Sequence, residues 1–300
     1  MVIFDINISP LLNIAHRGAR AYAPENTLAA FAKAKQFGCQ MLELDVRMSK
    51  DGVVVVYHDE HLQRCTDVAK QFPDRAEAKL AEFTYAELLC LDAGSWYVAE
   101  LSSPSADRQD YLQSLSDQEI AQFVSPEELG FYGSGQVKIP TLQQTLEFAE
   151  TKQILINIEL KELAEFADSV AMTTAVVALV EAMHMSGQVL ISSFAHPLLS
   201  EVRKLSADIA TAVLCDQPIE QVVDYLQNLA VRAYNLGCGS DTQVNPTVSL
   251  QIQQLRALHY DVNAWTCNNP EQMRRLIAAG VSGIISDYPN RVSDVLDRVE

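Results

Sequence analysis

Apolar runs of strand length alternate with amphipathic stretches of helix length along most of this 300-residue chain, and this alternation constrains its fold most strongly. The strand-like segments are 12–16, 41–48, 53–58, 154–160, 188–193, 209–214, 232–236, 261–266 and 283–287. Because helical stretches separate most of them, the pattern predicts α/β architecture with a parallel sheet closed into a (β/α)₈ TIM barrel. An open doubly wound sheet is the alternative, although no glycine-rich dinucleotide-binding motif follows the first strand.

A (β/α)₈ barrel needs eight strands, whereas nine segments of this chain have strand character. The excess indicates either an additional strand outside the barrel or one wrong assignment. Only SKDG separates the second segment from the third, and its Asp51-Gly52 pair is a strong turn signal. We therefore expect the additional strand in the 41–58 region. A tight antiparallel hairpin there would place residue 58 opposite residue 43, whereas two parallel strands would bring His58 to the same rim as a strand end.

Residues 93–139 interrupt the alternation of strands and helices. They are rich in Ser, Asp and Gly, and they are too many for an ordinary connection. We interpret them as a small insertion after the third strand, within a single TIM-barrel domain that covers residues 1–300. We expect this insertion to cap the site.

The charge and the cysteines of the chain argue against several classes of function. A formal net charge of −17 argues against nucleic acid as a partner, because phosphate backbones require a basic face. The six cysteines form no CxxC pair, which favours free thiols over a zinc or redox site. The amino terminus lacks a signal-peptide pattern, and the apolar run 169–183 is too short and too polar to span a bilayer. We therefore expect a cytoplasmic protein.

Acidic side chains lie on two of the predicted strands. Glu43 and Asp45 are two residues apart, so their side chains share one face of a strand, and Glu159 lies on another apolar strand. Carboxylates forced together inside a barrel stay ionised only if a cation lies between them. Three oxygen ligands favour Mg²⁺ or Ca²⁺ over zinc. The alternative is a buried ion network with basic neighbours.

Histidines and cations lie at the carboxyl ends of the first, third and fourth predicted strands, where barrel enzymes carry their reactive groups. His16 and His58 suit general acid and general base roles, and Arg17 and Lys161 suit contacts with phosphate oxygens. A single histidine is more often structural, a single lysine is most often solvated, and Trp265 alone is most often part of the core. The repeated placement of polar residues at strand ends favours a site.

Eight motifs between residues 14 and 290 occur in an order that identifies a family. They are HRG, PENT, ELDV, KDG…VVYHD, LDAGSW, IPTL, IELK and WTCNNPEQMRRLIAAGVSGIISDYP. Together they resemble the glycerophosphodiester phosphodiesterase family. The resemblance implies a barrel of the phospholipase-C-like kind that hydrolyses glycerophosphodiesters to glycerol 3-phosphate and an alcohol such as choline or ethanolamine.

The resemblance also implies roles for individual residues. These are an acid–base pair, His16 and His58; ligands of one divalent cation, Glu43, Asp45 and Glu159; phosphate contacts, Arg17 and Lys161; an aromatic that lines the glycerol or alcohol side, Trp265; and supporting residues, Glu25 and Asn26. The segment 94–142 is longer than the link expected in the most compact bacterial members.

Two other functions are compatible with the same residues. A lysophospholipase D-like or other lipid head-group phosphodiesterase would use the 93–139 insertion as an apolar channel. A catalytically silent barrel would bind phosphodiesters, or a partner protein, without hydrolysis. The sequence does not choose an oligomeric state, and it leaves open whether the glycerol 2-hydroxyl or water attacks the phosphorus.

Overall fold

Eight parallel strands close into a barrel, because the first strand pairs with both the second and the last strand of the chain. The computed structural model describes residues 11–239 and 245–297. Its strands are β1 (Leu12–His16), β2 (Met41–Met48), β3 (Val54–Val56), β4 (Leu155–Leu160), β5 (Val189–Ser193), β6 (Ala210–Cys215), β7 (Ala233–Gly237), β8 (Asp261–Trp265) and β9 (Gly283–Ser286). The prediction of a (β/α)₈ barrel is confirmed, and the open doubly wound alternative is wrong.

The additional strand is β3, which pairs antiparallel with β2 outside the barrel. The predicted hairpin over 41–58 is therefore confirmed, but its predicted register is wrong by one residue. Val46 pairs with Val56, so residue 58 has residue 44, not 43, as its register partner. The reason is the odd number of residues in the turn: the Ser49 amide donates to the Val53 carbonyl, at 2.9 Å.

Helices connect the barrel strands and cover the outside of the sheet. They are α1 (Leu28–Gln36), α2 (Val68–Gln71), α3 (Tyr85–Leu88), α4 (Ser95–Ser102), α5 (Asp117–Phe123), α6 (Pro126–Tyr132), α7 (Leu142–Lys152), α8 (Phe166–Ala182), α9 (His196–Leu205), α10 (Val222–Leu229), α11 (Pro246–Ala257), α12 (Pro270–Ala279) and α13 (Pro289–Leu296). In the described ranges, no helix has both the length and the apolar character that crossing a bilayer requires. All six cysteines are free thiols, as expected.

Short sequence signals set the ends of several helices. Thr27 accepts a hydrogen bond from the first turn of α1, and Thr141 and Gln144 form a reciprocal capping box at the start of α7. Asn269 caps α12, and Gly280 ends it with a φ of +99°. These caps fix where each helix begins after the preceding strand, and so they fix the loops at the carboxyl end of the barrel.

The barrel interior divides into an apolar lower layer and a polar upper layer. Ile14, Met41 and Ile285 are buried and pack on one another. Each is followed two residues later by a polar side chain, and residues two apart in a strand share a face. The apolar layer therefore supports a polar cluster at the carboxyl ends of β1, β2 and β9, where the functional site is expected.

Candidate active site

The three predicted metal ligands come together at the carboxyl end of the barrel. Glu43 and Asp45 lie on β2, Glu159 lies on β4, and the sheet register pairs Asp45 directly with Glu159. Each residue offers an oxygen that lies within 4.8 Å of an oxygen of the other two, and all three residues are buried. The spacing of two along β2 and the parallel pairing with β4 thus produce the predicted triad.

The basic side chains around this triad are fewer than its three carboxylates. Lys161 Nζ contacts Asp45 Oδ1 at 2.8 Å and also contacts Glu159, and Arg17 Nε lies 3.3 Å from Asp45 Oδ2. Burial acts to raise the pKa of Asp45, but these two cations outweigh burial and hold the pKa well below its usual range. Burial, together with the nearby Asp45 and Glu159 charges, holds the pKa of Glu43 well above its usual range.

Glu159 is affected in the same direction as Glu43. Burial, the largest effect, raises its pKa to about 7 although Lys161 opposes the shift. Three buried carboxylates thus face two protein cations, Lys161 and Arg17, and Lys161 Nζ is shared between Asp45 Oδ1 and Glu159. A hard divalent cation fits this donor set, which consists of oxygens only, better than a self-contained ion network does.

Each of the two predicted catalytic histidines is held by a carboxylate through the same ring nitrogen. His16 Nδ1 lies 2.6 Å from Asp287 Oδ1, and His58 Nδ1 lies 2.5 Å from Asp59 Oδ1. An ionised carboxylate only accepts hydrogen bonds, so Nδ1 carries the proton in both rings. The neutral rings therefore present an unprotonated Nε2 for proton transfer.

The surroundings of the two rings keep both of them neutral near pH 7. Burial lowers the pKa of His16 to about 4, against the opposing charge of Asp287. Burial also lowers the pKa of His58, against the hydrogen bond that its Nδ1–H donates to Asp59. His16 Nε2 lies 3.9 Å from Glu43 Oε2. The Tyr57 amide, next to His58, donates to the Asp45 carbonyl, and the Asp45 charge acts to raise the pKa of His58, so this histidine also lies near the triad.

The HRG and PENT motifs form one structural unit beside the triad. Arg17 and Asn26 both have a φ of +55°, and the Asn26 amide donates to the Arg17 carbonyl at 3.0 Å. Arg17 Nη1 donates to Glu25 Oε1 at 2.9 Å, and Asn26 Nδ2 donates to Asp45 Oδ2 at 2.8 Å. The predicted supporting residues thus orient a predicted phosphate contact and a predicted metal ligand.

Gly18 permits this unit to pack closely against α1. Its φ is +80°, and a Cβ built on it would lie 2.7 Å from the Ala30 Cβ and 2.8 Å from the Ala30 carbonyl carbon. The Ala19 amide donates to the Ala30 carbonyl at 3.0 Å, which fixes this approach. Backbone atoms of the helix cannot move aside as a flexible side chain would. Only glycine therefore meets both requirements at this position.

Replacing Gly18 with alanine is expected to lower the free energy of unfolding by about 2–5 kcal/mol, since left-handed strain and overpacking add. Gly52→Ala is the matched control, because Gly52 has a φ of +81° and no atom within 4 Å of its built Cβ. We expect that variant to lose only about 1–2 kcal/mol, the left-handed strain alone. Urea denaturation of both variants measures the difference, and equal losses would contradict the close packing.

Trp265 lies at the carboxyl end of β8, at a distance of two strands from β1. Its indole nitrogen donates to the Asn235 carbonyl at 3.0 Å, and its ring packs on the apolar layer inside the barrel. The ring also meets Phe194 edge to face, with centroids 5.4 Å apart, and Phe194 is 43% exposed. The predicted substrate aromatic is therefore partly buried against the apolar layer and is also one half of an aromatic pair at the rim.

Several site residues were not predicted from the sequence. Asp287 holds His16 and is itself held by Asn268 Nδ2 at 2.6 Å and by Arg20 Nε at 3.2 Å. Asp287 directly follows β9, so its position at a strand end was a signal that could have identified it. Arg64 contacts Asp59 but lies in a turn-rich loop, where no strand-end pattern marks it.

An open cavity of about 490 Å³ adjoins the site. Its lining combines predicted site residues with residues of the loops and of the 93–139 insertion: Arg17, Arg20, His58, Asp59, Arg64, Gln109, Asp110 and Tyr111. The Arg20 guanidinium stacks on the Tyr111 ring at 3.6 Å, and Tyr288 Oη contacts the Tyr111 carbonyl at 2.5 Å. Tyr111 of the insertion is thereby held by one residue that follows the first barrel strand, Arg20, and by one that follows the last, Tyr288.

The fold and this site together define a class of protein: a (β/α)₈-barrel enzyme with a buried carboxylate triad, two carboxylate-supported histidines and adjacent cations. The model of the glycerophosphoryl diester phosphodiesterase family matches residues 16–291, and the chain belongs to that family. It is thus an enzyme of the phosphodiesterase class, as its motifs indicated.

Relatives of known name agree over nearly the whole chain. Glycerophosphodiester phosphodiesterases of Bacillus altitudinis and Caldanaerobacter subterraneus are each 28% identical and cover 95% of this chain, over 98% and 97% of their own lengths. The solved structure of an Oleispira antarctica phosphodiesterase, in complex with the product sn-glycerol-3-phosphate, matches with a TM-score of 0.75. It is 26% identical and covers 96% of this chain and 97% of its own.

Proposed function

We propose that this enzyme hydrolyses glycerophosphodiesters to sn-glycerol 3-phosphate and an alcohol, with His16 and His58 as its acid–base pair. One observation carries the proposal: two histidines, each supported by an aspartate at Nδ1, adjoin a buried triad of carboxylates. Family membership and the product bound to the Oleispira antarctica relative support the same substrate class.

The triad would hold one divalent cation, Mg²⁺ or Ca²⁺, through Glu43, Asp45 and Glu159. When bound, such an ion neutralises negative charge that develops on phosphoryl oxygens. Lys161 and Arg17 border the triad and carry the positive charge that binds the phosphate group. Because the net charge of the protein is −17, this local positive charge must provide the attraction for an anionic substrate.

Proton transfer would occur at Nε2 of the two histidines. One neutral ring accepts the proton of the attacking hydroxyl, which belongs to the glycerol 2-position or to water. The other ring donates a proton to the oxygen of the leaving alcohol. Burial favours the neutral ring, so the negative charge of the bound phosphate is what stabilises the protonated one. Attack by the 2-hydroxyl forms a cyclic phosphate that water then opens to sn-glycerol 3-phosphate, whereas attack by water gives that product directly.

The cavity favours small polar substrates over lysophospholipids. Arginines, acids and a glutamine make up most of its lining, and the insertion contributes Gln109, Asp110 and Tyr111. An acyl chain would remove solvent from these charged side chains without offering them a hydrogen bond. We therefore propose that the insertion caps a site for water-soluble glycerophosphodiesters, with Trp265 at the glycerol or alcohol side.

A panel of diesters tests this function. Glycerophosphocholine and glycerophosphoethanolamine are expected to release sn-glycerol 3-phosphate with Mg²⁺ or Ca²⁺ present, much faster than lysophosphatidylcholine releases choline. EDTA is expected to abolish turnover, and either metal in excess to restore it, because chelation removes the neutralising charge. Phosphorus NMR reports whether a cyclic phosphate accumulates. Binding of the diesters without hydrolysis would instead favour the silent barrel.

A further inference from the structure

Arg64 lies in the loop between β3 and α2, and its guanidinium joins three parts of the molecule. Nε and Nη2 contact the two oxygens of Asp59 at 2.6 and 3.1 Å. Nη2 and Nη1 contact the two oxygens of Glu25 at 2.6 and 3.1 Å. Nη1 also donates to Gln109 Oε1, in the insertion, at 3.0 Å. Five contacts thus match the five N–H donors of an arginine.

The two carboxylates that Arg64 contacts are those that hold active-site side chains. Asp59 Oδ1 accepts hydrogen bonds from both Arg64 Nη2 and His58 Nδ1. Glu25 Oε1 accepts hydrogen bonds from both Arg64 Nη2 and Arg17 Nη1. Glu25 is buried, so without Arg64 its negative charge would depend more heavily on Arg17 and draw that side chain away from the substrate.

We propose that Arg64 is a positioning residue of the reaction, which orients His58 through Asp59 and Arg17 through Glu25. Gln109 completes its hydrogen bonds and links the 93–139 insertion to the same network. This inference rests on the proposed function, because it assigns Arg64 a role toward two groups of that site. Arg64 itself acts on the substrate only through these neighbours.

The planar fork of arginine suits this position, and lysine does not reproduce it. Asp59 and Glu25 are each contacted at both oxygens, which requires donors in fixed directions. A lysine ammonium keeps the charge but has one nitrogen, so it holds one carboxylate at the expense of the other. The charge-conserving Arg64→Lys change therefore separates orientation from neutralisation.

The first test compares Arg64→Lys with Arg75→Lys. Arg75 forms an ion pair with Glu87 at 2.5 Å, away from the site, and is a matched arginine control. We expect Arg64→Lys to lower kcat on glycerophosphocholine by about 10–100-fold, a range typical of residues that orient active-site groups. The control is expected to keep wild-type kcat, and both variants are expected to keep the wild-type melting temperature within a few degrees.

A second test asks whether Arg64 acts through Asp59. We expect Arg64→Ala to lower kcat at least as much as Arg64→Lys in the wild type, but by a smaller factor in an Asp59→Asn background, where only the effect that passes through Glu25 remains. We also expect millimolar guanidinium, but not ammonium at equal ionic strength, to restore part of the Arg64→Ala activity.

The outcomes separate this inference from the function on which it rests. Full activity of Arg64→Lys, or additive losses in the double variant with no recovery in guanidinium, would overturn the positioning role while wild-type turnover stands. A wild-type enzyme that leaves every glycerophosphodiester intact would overturn the proposed function instead.

Discussion

Replacing His16 or His58 with alanine is expected to lower kcat on glycerophosphocholine by about 10²–10⁴-fold, the usual contribution of one general acid or base. The methyl group can neither accept nor donate the proton, whereas Arg17 and Lys161 still bind the phosphate. We therefore expect KM to change by much less than kcat. Steady-state release of sn-glycerol 3-phosphate at saturating metal measures both constants.

The fold is expected to survive either change, because each supporting carboxylate keeps other partners. Asp287 retains Asn268 and Arg20, and Asp59 retains Arg64. His61→Ala is the control, since this histidine lies three residues beyond His58 but is exposed and hydrogen-bonded to a backbone carbonyl. Near-normal kcat in either site variant, with a correctly folded protein, would refute the acid–base assignment.

The acidic triad could be predicted because it depends on local geometry alone. A spacing of two puts Glu43 and Asp45 on one face of a strand, and parallel pairing brings the carboxyl end of the next barrel strand beside them. The same reasoning applied to Asp287 at the end of β9 would have found the partner of His16. These residues are predictable wherever strand ends can be located in a sequence.

Other features depend on tertiary structure and could not be read from a pattern. The register of the hairpin between β2 and β3 depends on whether the turn holds an odd or an even number of residues, and Asp51-Gly52 signals a turn without fixing that number. Arg64 reaches Glu25 across 39 residues and Gln109 across 45. Only the path of the loops brings these three side chains together.

Replacing Glu43 with glutamine is expected to have opposite effects on stability and on function. In EDTA, the wild-type protein keeps three carboxylates together in a buried site without a bound divalent cation. Burial and the Asp45 and Glu159 charges raise the pKa of Glu43 in the folded state, so the free energy of unfolding falls as pH rises above the unfolded value. Glutamine removes that charge and keeps an oxygen to accept the Arg17 amide.

The metal-free Glu43→Gln protein should therefore melt a few degrees higher than the wild type at pH 7, since about 1 kcal/mol shifts Tm by about 2–4 °C. Millimolar Mg²⁺ or Ca²⁺ should raise the wild-type Tm, because a ligand at 100 times its Kd adds about 2.7 kcal/mol. The variant should lose most of that rise and about 10²-fold or more of kcat.

Glu162→Gln is the matched control for this pair of effects, because Glu162 is exposed and lies three residues beyond Glu159. It should change neither the metal-free Tm nor the rise on adding metal. Differential scanning fluorimetry with and without EDTA gives both values for all three proteins. A Glu43→Gln variant that melts lower than the wild type in EDTA and still gains the full rise with metal would mean that the triad is a structural ion network. The divalent cation would then have to bind elsewhere, because a ligand stabilises the folded state only through the groups that contact it.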